Sequence, residues 1–350
     1  MRLLVARTDR SLLDQQNTPV HDILPDDVVY FVDWYSRDWL TQKIDQLGRP
    51  SLIVCDVEAS LAPQPVPQVF IPEMRGGIFR RHRSGMTSVV DLTDRSVDTV
   101  NCFNFSINKK SHDRFILLKL VQWFNLTSYQ YTWSGSGNVM DMAPILQEMQ
   151  AQSQLPDWYT SEFVSHILAP VTGIEPLWHN FSSEVGQWFD YESRYAGDTW
   201  AQWKPFKRAL TETSAVSILC DSSTNLEPNF TITERLLYYI AGLNFAIFAG
   251  NYGQASQLES MGIDTFANVI DHSYQWRPTV LERMYYAIHD NLKILTDLEY
   301  AAHTRDQMMD RLVANRDYIA GPGIDQWISQ QYQLLPSHVV PSIYTYNQES

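Results

Sequence analysis

The apolar positions of the first hundred residues fall into short, nearly continuous runs divided by polar and proline-containing turns: RLLVART, DDVVYFVDW, PSLIVCD, PQVFIP and VNCFNF. Runs this short, rich in β-branched and aromatic residues and apolar on successive positions, fit strands buried on both faces. The opening MRLLVARTDRSLL reads as the first of these strands, its apolar run being too short for a signal peptide. Beyond them, SHDRFILLKLVQWFNL spaces Phe115, Leu118, Val121 and Phe124 at helical intervals behind a polar start, which predicts a helix. The first half therefore reads as an open α/β sheet.

Helical spacing continues around 142–152 and 158–168, and the polar, Gly-containing stretch between Gly135 and Pro156 is the expected domain boundary. After it come SAVSILC as a strand, DSSTNLEPNF as a loop, TITERLLYYIAG as a helix, LNFAIFAG as a strand and QLESMGIDTF as a helix running into a turn. That order predicts a strand-helix-strand unit with a right-handed crossover. The tail from Pro278 to Ile319 is helical throughout, with one break expected near Tyr300. The expected fold class is α/β, with an N-terminal domain over 1–155, a second α/β domain over 156–350, and terminal helices closing it.

Composition narrows the partners. With 350 residues, 44% hydrophobic and 19% charged, the chain is long enough for two cores and too apolar for disorder. A net charge of −14 argues against a general nucleic-acid coat, whose affinity rests on a basic surface. No uninterrupted apolar stretch is long enough to span a bilayer, so no membrane partner is expected. Cys55, Cys102 and Cys220 are far apart and embedded in apolar runs, which reads as buried thiols of a reducing, cytoplasmic compartment.

Glu234 and Arg235 stand side by side where the helix of the second-half unit begins. A loop at the carboxyl end of a parallel strand is where open α/β sheets place their ligand crevice. A helix start there attracts phosphate through free N–H groups and the dipole, an arginine adds a fork of donors, and a carboxylate accepts bonds from a ribose diol. The same residues admit a plainer reading: Thr231-Ile232-Thr233-Glu234 fits the S/T-x-x-E capping box, in which Glu234 only bonds back to the cap. Both readings stand at this point.

The run from Ser214 to Gly250 resembles the donor-binding segment of the α1,3-fucosyltransferases and, more loosely, of exostosin-like glycosyltransferases: a strand, a Ser/Asn-containing loop, Thr-Glu-Lys-Leu, an Ala-Gly and a strand ending in Gly. Thr233, Glu234, Arg235 and Leu236 occupy the motif, with Arg235 where the family has Lys; Ala241, Gly242 and Gly250 match the later positions. SHDRFILLKLVQWFNL with YQYTWSG, and MGIDTFANVIDHSYQW, are similar to stretches of phage and algal-virus glycosyltransferase-like proteins. The resemblance covers about a third of the chain and does not reach residues 1 to 95. It implies a two-domain GT-B-like arrangement of Rossmann-like domains, with Glu234 on the ribose of a nucleotide sugar, Arg235 at the diphosphate and Thr233 in the same donor motif. It also implies a basic contribution shortly before the donor strand, which falls on Lys207 and Arg208; Arg114 is a further candidate for a diphosphate contact, and a solvated helix face is the plain alternative for these.

No Asp-x-Asp clamp, HExxH, CxxC pair, GxGxxG or P-loop is present, so a metal-independent transfer with no cofactor beyond the nucleotide-sugar co-substrate is expected. The base for the acceptor hydroxyl is sought at the carboxyl end of PSLIVCD, in Asp56 or Glu58, each of which also suits a turn. In Met74–Gly85, Arg80, Arg81 and Arg83 form the most basic stretch of an acidic chain, suited to gripping an anionic acceptor such as DNA, or simply a solvated loop. The expected function is thus transfer of a sugar to a glycan or a modified phage DNA base in the host cytoplasm. A non-catalytic viral structural protein and a nucleotide-sugar hydrolase remain the alternatives.

Overall fold

The computed structural model describes residues 3–6, 12–14, 18–31, 37–55, 58–60, 66–71, 83–84, 86–87, 90–95, 97–107, 112–133, 141–171, 211–220, 229–232, 234–250 and 252–336. The chain is mixed α/β, and its contacts group it into two compact units: residues 1–84, 227–234 and 318–350, and residues 85–226 and 235–317. It crosses between the units between Glu234 and Arg235, at the start of a helix.

The first unit holds the expected early strands. β1 (Leu3–Ala6), β3 (Val28–Phe31), β4 (Leu52–Cys55) and β6 (Gln68–Phe70) pair in parallel, and the short β2 (Leu12–Leu13) adds an antiparallel edge, giving the order β2-β1-β3-β4-β6. Helix α1 (Arg37–Leu47) joins β3 to β4 and buries Leu40 and Ile44 against Leu4, Val29 and Ile53. A separate two-stranded ribbon pairs β5 (Glu58–Ser60) with β10 (Asn229–Thr231) in antiparallel register. Parallel strands with continuous apolar runs are the pattern expected of them.

The second unit is built on β7 (Asn101–Ile107), β8 (Tyr129–Trp133), β9 (Ser214–Leu219) and β11 (Phe245–Phe248), all parallel in the order β11-β9-β7-β8. The run VNCFNF therefore leaves the early sheet and pairs across the expected 155/156 boundary, Phe103 with Val216 and Phe105 with Ile218. An apolar run specifies a strand buried on both faces; it does not name the strand's neighbours. Helix α2 (His112–Trp123) returns β7 to β8, and Ile116, Leu117, Leu120 and Val121 are sealed in the core with Phe163 and Ile167 of α4 (Ser161–Leu168). α3 (Ala143–Gln150) adds Met149, and Trp123 meets Phe163 edge-on, centroids 5.1 Å apart. α5 (Glu234–Ala241) joins β9 to β11, and α6 (Gln254–Ser260) follows β11. Cys55, Cys102 and Cys220 are buried and outside any disulfide.

The helical tail is cut into α7 (Val280–His289), α8 (Leu292–Thr296), α9 (Leu298–Gln307), α10 (Met309–Ala320) and α11 (Pro322–Gln333). Where one break was expected near Tyr300, the stretch is interrupted at 290–291, 297 and 308; at the second of these the Asp297 side chain accepts from the Tyr300 N–H and caps α9. Three arginines from this tail are buried, and each donates to backbone carbonyls. Arg305, fully buried, bonds Leu243 O, Glu212 O, Gly242 O and the Thr99 hydroxyl. Those acceptors lie just before β11, β9 and β7, so one guanidinium ties together the amino ends of three parallel strands. Burial pushes its pKa down to about 10, still charged at neutral pH. Arg283 works at the opposite edge, donating from Nε to Gly250 O at 2.8 Å, just past β11, and from Nη1 to Arg277 O and Pro278 O. Arg316 donates to Asp94 O and Leu92 O.

Replacing Arg305 by Met leaves its carbonyl acceptors buried without a donor. Bonds to a charged group contribute about 1.5–3 kcal/mol each, so a loss of at least about 3 kcal/mol is expected. The midpoint of urea unfolding measures it; a change below about 1 kcal/mol would show that the staple is dispensable.

Candidate functional site

The second sheet contains a topological switch. From β7 the chain runs through α2 to β8 on one side; from β9 it runs through β10, which pairs with β5 and not with this sheet, and then α5 to β11 on the other, so the expected strand-helix-strand unit is interrupted by a strand where a loop was expected. Adjacent parallel strands whose connections depart in opposite directions leave a crevice outside their carboxyl ends, and an order of this type binds its nucleotide there. The carboxyl ends that meet at the switch are Ile107 of β7 and Leu219 of β9.

Arg114 is brought to this place. It sits in the first turn of α2, the helix that begins at the β7 side of the switch, and is 1% exposed. A buried guanidinium needs compensating acceptors, so this side chain is fixed rather than solvated. The segment joining β7 to α2 reads Asn108-Lys109-Lys110-Ser111 and lies outside the described residues. Its two lysines were not singled out from sequence. The usable signal was a basic pair directly between an apolar run and a polar helix start, which only the switch topology makes meaningful.

The second side of the switch leads to Glu234 and Arg235. Glu234 is the first residue of α5, while Thr231 is the last residue of β10 and pairs with Glu58 of β5. A capping box would need Thr231 as the cap and Glu234 as the third helical residue. Thr231 is instead the last residue of β10 and Glu234 the first of α5, so the backbone starts the helix two positions later than the box pattern places it. Such a box does form elsewhere, where Thr279 and Glu282 bond reciprocally at the start of α7. Glu234 and Arg235 therefore open the helix, where N–H groups are free.

The β5–β10 pairing places Glu58, one of the candidate bases, opposite Thr231 and three residues before Glu234 in the paired strand's direction. Sequence spacing gave no sign of this, because the two segments are far apart in the chain. For Glu58, Glu234 and Arg235 the backbone position alone is described. Asp56, Thr233, Lys207, Arg208, Arg80 and Arg81 lie outside the described residues.

Arg83 is held by Asp325 in the first turn of α11 through a two-pronged ion pair, Nη1 to Oδ1 at 2.6 Å and Nη2 to Oδ2 at 2.9 Å. An anionic acceptor at Arg83 has to compete with that carboxylate. The glycines matched by the resemblance have backbone reasons of their own. A Cβ on Gly242 would stand 2.5 Å from Thr211 Cβ, and Gly250 has φ of 94°, in the left-handed region that favours glycine.

The carboxyl end of β11 is locked by a relay. His272 Nε2–H donates to Thr265 O at 2.9 Å, leaving Nδ1 to accept from the Tyr274 hydroxyl, whose oxygen accepts the Phe248 N–H at 2.8 Å. Burial lowers the His272 pKa and raises that of Tyr274, so both stay neutral. Among the described residues no set of three or more His, Cys, Asp or Glu is placed to hold a metal ion, and no helix is long and apolar enough to cross a membrane. No family model, curated protein or solved structure matches the chain.

A histidine held neutral in the fold binds its proton more readily when unfolded, where its pKa is about 6.5. Stability then falls as pH drops through that value and keeps falling until the lowered folded pKa is passed. His272→Gln is expected to remove this contribution, flattening the slope by up to about 1.4 kcal/mol per pH unit below pH 6.5. Urea unfolding of both proteins between pH 5 and 7.5 measures the difference; parallel curves would mean that His272 titrates alike in both states.

Proposed function

We propose that the chain is a glycosyltransferase that moves a sugar from a nucleotide-diphosphate donor to an acceptor hydroxyl, with two Rossmann-like domains in a GT-B-like arrangement. The observation that carries this reading is the β9–α5–β11 unit. Its strands are parallel, it stands on one side of a topological switch, and its helix opens on Glu234 and Arg235.

In this reading the ribose diol is bound by Glu234, and the diphosphate by Arg235, Thr233 and the N–H groups opening α5. Arg114, from the facing side of the switch, and the Lys207-Arg208 pair add positive charge. As the bond from the anomeric carbon to the diphosphate oxygen breaks, negative charge grows on the departing phosphate. These fixed cations and dipoles stabilise it without reorganising. The acceptor hydroxyl loses its proton to Glu58 or Asp56; the register of β5 with β10 favours Glu58, because it ties this residue to the donor segment. The acceptor is a glycan or a modified DNA base. The Arg83–Asp325 pair favours a structural role for the basic stretch, which weakens the DNA alternative and leaves a non-catalytic interaction protein as the second reading.

A thermal-shift screen against UDP, GDP, ADP, CDP and their common sugar conjugates tests the donor site. A nucleotide at 100 times its dissociation constant adds about 2.7 kcal/mol of stability. One base is expected to raise the melting temperature of the wild type, and Glu234→Ala and Arg235→Ala are each expected to lose most of the shift. Silence across the whole panel, or equal shifts in both variants, would leave the non-catalytic reading in place.

A further inference from the structure

Among the described residues the second unit carries a depression beside α6, the helix that follows β11. It is an open groove of about 540 Å³ between α6 and residues 267–276, and it includes Glu259, Asn268, Asp271, Ser273 and Trp276 in its lining. Its floor is anchored to the end of β11 by the bond from the Phe248 N–H to Tyr274. Trp276 is 52% exposed although Tyr252 packs edge-on against it, centroids 5.3 Å apart at 83°. An indole so oriented and yet open to solvent is unlike Trp123, which packs against the core.

The polar groups beside the indole are held in place from behind. Arg311 donates to both oxygens of Asp264 and, at 2.7 Å, to Asn268 Oδ1. That fixes the orientation of the Asn268 amide and leaves its Nδ2 hydrogens to donate elsewhere. Asn291 receives the Asp271 N–H and donates to the Asp271 carbonyl, so the backbone carrying Asp271 is clamped on both sides. One oxygen of Asp271 accepts from Ser273 N–H and one of Glu259 from the Thr265 hydroxyl, so each carboxylate keeps a second oxygen for a ligand.

We propose that this groove binds a saccharide. A pyranose offers an apolar ring face, which suits the exposed indole, and rows of hydroxyls that both donate and accept. The groove supplies both kinds of partner: carboxylate oxygens as acceptors, and the Asn268 amide and Ser273 hydroxyl as donors. A cation would use the acceptors and the indole but would leave the donors facing a positive charge. The groove is shallow and open, so the outer hydroxyls of a chain stay hydrated. The inference goes beyond the donor reading, because binding here needs no nucleotide and none of the residues placed at the switch.

Saturation-transfer NMR on the full chain with maltotriose, mannobiose, lactose and chitotriose, and with spermidine as a cationic probe, tests it. At least one saccharide is expected to receive saturation from the wild type. Trp276→Ala is expected to weaken that binding on the order of tenfold or more, while Trp276→Phe retains part of it. Trp276 is exposed, so both variants should keep the wild-type melting temperature and its response to nucleotides. The proposal is overturned if no saccharide receives saturation, if the signal survives Trp276→Ala unchanged, or if spermidine alone responds. The nucleotide screen can succeed or fail independently of each of these outcomes.

Discussion

The second unit depends on one buried charge. A parallel sheet has no tight hairpins to fix the relative heights of its strands, because each strand is reached by a long crossover. Here the heights at the amino edge are set by Arg305, which reaches from α9 to backbone and hydroxyl oxygens just ahead of β7, β9 and β11. A guanidinium suits this task better than an ammonium, since its planar fork of donors addresses several carbonyls at once. The cost of burying it is offset only because its donors meet those oxygens, so the residue and its acceptors stand or fall together. Asn244 reinforces the same edge by donating to Thr211 O and Ser214 O.

At the carboxyl end of β11 the chain places further buried polar groups. Arg283 holds Gly250, and the His272–Tyr274 relay holds Phe248. The loops that leave this edge can then diverge without loosening the strands beneath them. This division of labour is what a ligand crevice on an open sheet requires: rigid strand ends below, and connections free to carry chemistry above.

Strand and helix identity were legible in the sequence because burial leaves a local trace. LIVC and FAIF are apolar at every position and SAVSIL at four of its six, and all three became strands with little exposed surface. Partnership was not legible. Nothing in VNCFNF says that its neighbours are β8 and β9 rather than β4 or β6, and nothing in Glu58 says that it lies opposite Thr231. Both are long-range pairings chosen by the whole fold. The buried arginines were also hidden, since Arg283, Arg305 and Arg316 sit in a tail whose charged residues look like an ordinary solvated face. The capping pattern shows the limit from the other side: Thr-x-x-Glu occurs at Thr231 and at Thr279, and the second opens its helix as a box while the first threonine ends a strand.

That difference also separates the informative part of the resemblance from the uninformative part. Gly242 is required by the close approach of Thr211, and Gly250 by a positive φ after β11, so any chain with this strand-helix-strand geometry would favour glycine at both places whatever it bound. Their match therefore supports the fold and says little about the ligand. Glu234 and Arg235 carry no comparable backbone demand, since an ordinary helix start accepts many residues. The donor site proposed above therefore rests on the charged pair at the opening of α5, beside a topological switch, and not on the glycines.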